Sequence, residues 1–271
     1  MNILITGSNG FVGRNLAKCL GDYNLFLGTR DNLDLMNLAN LENFFNDKNF
    51  DLVINCATSG GNRLQQDDSN WVYENCLMVN NLLKNENKFK KIIHFGSGAE
   101  LDRTQNINGD DLFQRFPTDP YGLSKSMIAK SFFYHSKFYN LRIYNVFNEN
   151  ELTTRMIRGN ILKYLSGDDI EIHQNKYMDF FHIDDLAKVI EFYLSKSNLP
   201  KVIDCCYEKK HTLTDVANFI NNLSDKKSKI LLYDKNMGLS YCGSFRTIKS
   251  LNIKVSNLHD SIQKVYDNMI V

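Results

Sequence analysis

A tyrosine followed four residues later by a lysine gives this sequence its clearest candidate for acid–base chemistry. Tyr121 and Lys125 lie in FPTDPYGLSKSM, residues 116–127, where Pro120 precedes an apolar run. A spacing of four places both side chains on one face of a helix. The lysine charge would then favour the phenolate of a tyrosine whose free pKa is about 10. Pro120 at the first helical position would fix where that helix begins.

Glycines at every third position follow directly on the first strand-like run. The segment ITGSNGFVGRNL holds Gly7, Gly10 and Gly13 between the run at 2–7 and an amphipathic stretch at 11–20. In that context Gly7 would permit a tight turn, and Gly10 would let the backbone approach a pyrophosphate. Gly13 would let the helix pack closely on the strand. The pattern therefore predicts a dinucleotide site near the start of the chain.

Short apolar runs alternate with helical patterns through the first 150 residues. Buried strands are predicted at 2–7, 24–29, 51–57, 91–97 and 140–147. Amphipathic helices are predicted at 11–20, 38–48, 69–85 and 120–138. Repeated strand–helix units imply an α/β fold with a Rossmann-like doubly wound parallel sheet, which binds ligands beyond the carboxyl ends of its strands.

The regularity weakens after about residue 150, which predicts a second unit. We expect a dinucleotide-binding domain at 1–150, to which residues 177–196 return. Residues 151–271 would form a small C-terminal α/β substrate-binding lobe. A helix is predicted at 182–196, and KVIDCC at 201–206 is predicted to be one of the small pieces of the lobe.

Composition narrows the class of protein. The chain of 271 residues has a formal net charge of +1, which argues against a nucleic-acid surface or a polybasic membrane patch. No apolar run is long enough to span a membrane, and a strand-like run at residue 2 leaves no room for a signal peptide. The six cysteines contain no C-x-x-C pair, and no His/Cys/Asp/Glu cluster has metal spacing. We therefore expect a cytoplasmic protein without a metal.

The glycine turn and the Tyr–Lys pair together resemble the extended short-chain dehydrogenase/reductase family, also called the NAD-dependent epimerase/dehydratase family. Its T-G-x-x-G-x-x-G signature stands here as Thr6–Gly13, and its Y-x-x-x-K pair as Tyr121 and Lys125. The resemblance covers about residues 1–195. It implies a nicotinamide dinucleotide cofactor and a homodimer.

Further residues are assigned by this resemblance. The family places a Ser or Thr after the fourth strand, which implies a catalytic set of Ser97, Tyr121 and Lys125. The implied cofactor contacts are Tyr121 and Lys125 together with Gly7, Asn9, Gly10, Phe11, Val12, Gly13, Arg30, Asp34, Leu35, Cys56, Ala57 and Asn75.

Within the family the sequence is most similar to nucleotide-sugar 4-keto reductases of the GDP-fucose synthase type. This likeness implies reduction of the C4 ketone of a nucleotide-activated 4-keto-6-deoxy sugar. Tyr121 would protonate the new alkoxide, Ser97 would position it, and Lys125 would hold the ribose and tune Tyr121. The implied substrate contacts are Ser97, Gly98, Asn145 and Arg155.

Two departures from that synthase predict reduction without epimerisation at C3 and C5. Ala99 stands where the synthase has a catalytic cysteine, and Thr154 or Arg155 stands where it has a catalytic histidine. Met178 replaces an arginine that helps to hold the nucleotide in the synthase. The sequence therefore does not identify the nucleotide base of the substrate. The alternatives are a 4-epimerase with tightly held NAD and a non-catalytic regulator that senses cofactor.

The segment after the second strand bears on the choice of cofactor. In TRDNLDL, Arg30 could grip the 2′-phosphate of NADP, whereas Asp31 could bind the free ribose hydroxyls of NAD. The longer match to the NADP-using reductases favours Arg30, so we predict NADP, with NAD as the alternative.

Overall fold

A parallel six-stranded sheet is the centre of the protein in the computed structural model, which describes residues 1–61, 66–107 and 109–270. In chain order the strands are β1 (Asn2–Thr6), β2 (Asn24–Gly28), β3 (Phe50–Asn55), β4 (Phe89–Ser97), β5 (Phe138–Ile143), β6 (Val146–Phe147), β7 (Ile170–Gln174), β8 (Phe181–His182), β9 (Val202–Cys205) and β10 (Ile230–Asp234). The large sheet has the order β2-β1-β3-β4-β5-β9. The strand order runs outward from β1 on both sides, through β2 on one and through β3 on the other, as in a doubly wound sheet.

Helices join the strands as the sequence predicts. They are α1 (Phe11–Cys19), α2 (Leu38–Phe45), α3 (Asn70–Lys84), α4 (Pro120–Ser131), α5 (Met156–Ser166), α6 (Ile183–Ser195), α7 (Leu213–Asn221), α8 (Arg246–Ser250) and α9 (Leu258–Ile270). The predicted helix at 120–138 is too long, because α4 ends at Ser131 before the chain turns into β5.

Both faces of the sheet are buried, which explains why its strands read as continuous apolar runs. On β1, Ile3 and Ile5 join the core cluster that contains Leu16 of α1. Leu4 points to the opposite face and joins the cluster that contains Leu82 of α3 and residues of α2 and α4. The predicted α/β class with a doubly wound parallel sheet is confirmed.

The sequence pattern suggested that Val202–Cys205 belongs to a separate lobe, but the structure places this strand elsewhere. It pairs in parallel with β5, with Leu141 opposite Ile203, and so extends the central sheet. The chain reaches this position after α6, and the long-range pairing of β9 with β5 outweighs the local irregularity of the sequence.

A smaller two-stranded sheet lies in the C-terminal part of the chain. There β10 pairs in parallel with β7, helices α5 and α7 pack against β7, and α9 packs against these two helices. The division of the chain into units at 1–150 and 151–271 stays a prediction. In the described ranges no helix combines the length and apolar character needed to cross a membrane. All six cysteines are free thiols.

Candidate active site

The turn between β1 and α1 accepts only glycine at two of its three predicted positions. Gly7 has φ +62°, and a Cβ there would lie 2.7 Å from the backbone nitrogen of Ala57. A Cβ on Gly13 would lie 2.6 Å from the carbonyl oxygen of Gly7. The N-cap of α1 is Gly10, so no side chain competes for the first N–H groups of that helix. This bare helix start fits a pyrophosphate.

A cavity of about 860 Å³ opens at the carboxyl ends of the strands, beside this turn. Most of the predicted site residues line it, namely Gly7, Gly10, Phe11, Val12, Gly13, Arg30, Asp34, Leu35, Cys56, Ala57, Tyr121, Lys125, Asn145 and Arg155. The remaining four lie elsewhere. Asn9 is exposed at the surface, Asn75 and Ser97 are buried and do not line the cavity, and Gly98 lies next to Ser97.

Tyr121 and Lys125 occupy the first turns of α4, as their spacing predicts. Asp119 caps this helix, because its Oδ1 accepts a hydrogen bond from the Gly122 nitrogen at 2.8 Å. Lys125 is buried, and its Nζ donates to the carbonyl oxygen of Phe95 at 2.8 Å and lies 5.7 Å from the centre of the Tyr121 ring. Burial lowers the pKa of Lys125 to about 8, although the carboxylate of Glu100 opposes this shift.

The phenol of Tyr121 is held in its protonated form. Burial raises its pKa, and the neighbouring Tyr241 adds to this effect. A hydrogen bond with Ser97 and the charge of Arg155 act in the opposite direction and lower the pKa of Tyr121. A protonated phenol beside a cavity is suited to give a proton to an oxygen anion.

Ser97 ends β4 and begins a short turn of 3-10 helix at Gly98–Glu100. Its Oγ accepts a hydrogen bond from the Ala99 nitrogen at 3.1 Å, and Glu100 in turn accepts from the Ser97 nitrogen at 3.3 Å. This reciprocal capping box fixes the position of the Ser97 hydroxyl next to Tyr121.

The loop after β3 covers one side of Tyr121. Gly61 has φ +82°, and a Cβ there would lie 2.9 Å from Cε2 of Tyr121. The preceding Ser59 is held by Asn75, whose Oδ1 accepts from the Ser59 nitrogen at 2.7 Å. Asn75 also donates to Ser124 Oγ of α4 at 3.0 Å. The structure therefore places Asn75 as a link between this loop and α4, and not on the cavity wall.

We expect Gly61→Ala to lower kcat/KM about 10-fold or more, because the added methyl would displace the Tyr121 ring and misplace its hydroxyl. The left-handed backbone should also cost about 1 kcal/mol of unfolding free energy. Steady-state rates and urea unfolding measure the two effects.

Gly21→Ala is the matched control for this change. A Cβ at Gly21 meets its nearest neighbour, the Lys18 carbonyl, at an ordinary 3.5 Å. Equal rates for Gly61→Ala and Gly21→Ala would show that the loop does not position Tyr121.

The side of the cavity predicted to bind the adenine half of the cofactor contains an exposed arginine and a carboxylate that is already hydrogen-bonded within its own loop. Arg30 is exposed and lines the cavity, whereas Asp31 does not line it. The Asp34 Oδ1 accepts from the Met36 nitrogen at 3.0 Å, so this carboxylate caps its own loop. Leu35 is buried and contributes apolar wall.

On the opposite wall, Asn145 donates from Nδ2 to the carbonyl oxygen of Asp179 at 2.8 Å. Arg155 is half-buried at the N-cap of α5. Met178 is buried and lines the same cavity. Of these three residues, Arg155 carries a charge, and it lies close enough to Tyr121 to lower its pKa.

A buried ion network below Ser97 was missed in the sequence. Glu100 accepts from Arg142 Nε at 2.7 Å, and Arg142 NH1 donates to Asp204 at 2.8 Å. Asn140 also donates to Glu100, at 3.0 Å. The S-x-x-E spacing of Ser97 and Glu100 is a capping-box signature that could have revealed Glu100. Its pairing with β5 and β9 has no local signal.

Glu151 has no assigned role in the predicted site, although the sequence offers it, with Glu149, as a possible base. It is buried, lines the cavity, and accepts from the Arg158 nitrogen at 3.1 Å. Burial raises its pKa to about 7, although that hydrogen bond and the charges of Arg155 and Arg158 oppose the shift. A carboxyl of this kind can exchange a proton near neutral pH. Among the described residues, no cluster of three or more His, Cys, Asp or Glu could hold a metal ion.

Comparisons with known proteins agree with this architecture. The sequence model described as "NAD dependent epimerase/dehydratase family" matches residues 3–206. No curated protein sequence matches the chain. A GDP-mannoheptose C4 reductase from Campylobacter jejuni with NADP bound is 21% identical, with a TM-score of 0.81 over 100% of this chain and 98% of that chain.

Two further solved structures have similar values. A GDP-D-glycero-L-gluco-heptose synthase from Campylobacter jejuni, in the presence of NADPH, is 22% identical with a TM-score of 0.78, covering 98% of this chain and 96% of that chain. A UDP-N-acetylglucosamine 4-epimerase from Bacillus cereus is 20% identical with a TM-score of 0.80, covering 100% of both chains. At these identities the likeness establishes the fold of the whole chain.

Proposed function

Because the chain belongs to the NAD dependent epimerase/dehydratase family, we propose that it uses NADPH to reduce the C4 ketone of a nucleotide-activated 4-keto-6-deoxy sugar. The observation that carries this proposal is the meeting of Tyr121, Lys125 and Ser97 beside the cavity that the glycine turn enters. The GDP-mannoheptose C4 reductase with NADP bound has the same fold, which supports a reductase of this class.

The chain's own residues would bind the cofactor and handle one proton. The glycine turn would receive the pyrophosphate, and Lys125 would hold the nicotinamide ribose. The bound dinucleotide would supply a hydride for C4. The phenol of Tyr121 would give its proton to the C4 oxygen, while Ser97 would hydrogen-bond that oxygen. Arg155 would balance the negative charge of the nucleotide diphosphate.

We propose that C3 and C5 keep their configuration. Inversion next to a ketone needs a base and an acid on opposite faces of the sugar, each with a pKa near neutrality. Ala99 is buried and cannot titrate, and an arginine such as the one at 155 makes a poor base. Glu151 offers one such group, and a single group cannot act on both faces of the sugar.

The test is NADPH consumption against a panel of nucleotide 4-keto-6-deoxy sugars, followed in deuterated water. We expect one NADPH per product and no deuterium at C3 or C5 by NMR. Enzyme-dependent deuterium there would contradict the proposal, and its loss in Glu151→Gln would identify the base. Interconversion of C4 epimers without net NADPH consumption would instead support the runner-up, a 4-epimerase that keeps NAD bound.

For the cofactor we expect kcat/KM with NADPH to exceed that with NADH at least about 10-fold, since Arg30 lines the cavity and can grip a 2′-phosphate. Arg30→Ala should remove most of this preference by weakening NADPH alone. Arg246→Ala, an exposed arginine on α8, is the control. Equal or better use of NADH by the wild type would contradict the assignment and favour the epimerase.

A further inference from the structure

Tyr241 brings a hydroxyl to the catalytic serine from far along the chain. Its phenol oxygen lies 3.3 Å from Ser97 Oγ, across 144 positions of sequence. The backbone of Tyr241 is fixed on both sides, because its nitrogen donates to the Tyr177 carbonyl at 2.9 Å and its carbonyl accepts from the Asp179 nitrogen at 3.1 Å. The approach to Ser97 is therefore set by main-chain bonds.

The ring of Tyr241 is also held in place by packing. It meets the ring of Tyr144 edge-on, with centroids 5.3 Å apart at 71°. Both rings lie over Gly98, where a Cβ would come within 2.6 Å of Tyr144 Cδ1 and 2.8 Å of Tyr241 Cζ. Gly98 was predicted as a substrate contact, and the structure shows that it makes room for these two rings.

The neighbours of Ser97 leave one acceptor position of its hydroxyl open to Tyr241. A serine hydroxyl has one proton and two acceptor positions. The Ala99 nitrogen fills one acceptor position at 3.1 Å. Ser97 also lowers the pKa of Tyr121, which is the effect of a proton directed at the phenol oxygen. If the serine proton points that way, the second acceptor position of Ser97 remains for the Tyr241 hydroxyl, 3.3 Å away.

We propose that Tyr241 is a positioning residue of the active site, whose hydroxyl donates to Ser97 and thereby directs the serine proton toward the Tyr121 phenol or, with substrate bound, toward the reacting oxygen beside it. The catalytic consequence rests on the proposed function, whereas the hydrogen bond itself does not. Without Tyr241 the Ser97 proton could turn toward the vacated position, and the phenolate of Tyr121 would lose its partner part of the time.

The test is a double-mutant cycle of Tyr241→Phe and Ser97→Ala. Tyr241→Phe keeps the ring that packs on Tyr144. We expect it to lower kcat about 10-fold in the wild-type background and less than about 2-fold when Ser97 is already alanine. KM should change little. Equal losses in both backgrounds would overturn the proposal.

The pH profile separates orientation from a merely structural effect. The charged and titratable groups facing the Tyr121 phenol are Tyr241, Arg155, Glu100 and Lys125. A bond donated to the phenolate lowers its pKa, so its loss should shift the Tyr121 step of the kcat/KM profile, which lies above the Lys125 step near pH 8, upward by about half to one pH unit. Tyr241→Phe and Ser97→Ala should give the same shift, and an unshifted step in Tyr241→Phe would count against the proposal.

A second cycle on urea unfolding needs no substrate. If the two hydroxyls are bonded, Tyr241→Phe should cost less stability in the Ser97→Ala background than in the wild type. Tyr177→Phe, an exposed tyrosine next to the same segment, should show no coupling to Ser97. If the wild type reduces no sugar of the panel, the proposed function fails while this cycle still decides on the bond. Additive stability losses would overturn the inference.

Discussion

Replacing Tyr121 with phenylalanine is expected to lower kcat/KM for the ketosugar by about 100-fold or more. The change removes only the hydroxyl, so the ring keeps its contact with the Gly61 loop and the fold is retained. The variant lacks the proton that would go to the C4 oxygen, and general acid catalysis contributes a rate factor of about 100-fold or more. Initial rates of NADPH consumption at saturating cofactor measure the loss.

Tyr134→Phe is the matched control for the loss of a tyrosine hydroxyl. Tyr134 follows α4 and is 86% exposed, so its hydroxyl is remote from the cavity. The assignment would be wrong if Tyr121→Phe and Tyr134→Phe both turned over at the wild-type rate.

Lys125→Met should lower kcat/KM by a comparable factor and yet make the protein more stable at pH 7. The ammonium of Lys125 lies one helical turn from Tyr121 and, with cofactor bound, would hold the ribose and favour the phenolate. Burial is the reason for the opposite effect on stability, since it lowers the pKa of Lys125 from 10.5 to about 8. Methionine fills similar space without a charge, although the Phe95 carbonyl loses its donor.

The sign of the pH dependence follows from this shift. Below pH 8 both the folded and the unfolded chain carry the charge, and the folded chain bears the full cost of burying it. As the pH rises from about 8 to 10.5, the folded chain releases the proton first and that cost disappears. We expect Lys125→Met to gain about 1–2 kcal/mol in urea unfolding at pH 7, with the gain shrinking towards pH 10.

Lys18→Met, an exposed lysine on α1, should change neither rate nor stability. A Lys125→Met variant that is less stable at pH 7 and more stable at pH 10 would reverse the predicted sign. It would show that the carboxylate of Glu100 outweighs burial in the folded chain.

The sequence predicts those parts of the site that depend on short spacings. The Gly7–Gly13 turn and the Tyr121–Lys125 pair each lie within one strand–helix junction, so local geometry places them. The first five strands of the central sheet, β1 to β5, also follow, because each is an apolar run bounded by turns. Asn75 shows the limit of such matching. Its position on α3 is as expected, but its amide bonds Ser59 and Ser124 instead of facing the cavity.

What sequence patterns miss depends on pairing between distant segments. The strand at Val202–Cys205 joins the central sheet because β5 has a free edge, which no local pattern announces. The partners of Glu100 lie on β5 and β9, and the partner of Ser97 is Tyr241. Such contacts arise only once the crossovers have brought the strand ends together.

The glycine turn limits how this protein can evolve. At Gly7 and Gly13 the atoms that exclude a Cβ belong to main chain, the Ala57 nitrogen and the Gly7 carbonyl oxygen. A substitution elsewhere cannot remove these main-chain atoms, so we expect no second mutation to compensate for a side chain at Gly7 or Gly13. Around Gly98 the excluding atoms belong to the side chains of Tyr144 and Tyr241, which a second mutation can shorten. A directed-evolution library for new substrates should therefore keep the turn fixed and vary Gly98 together with its tyrosines.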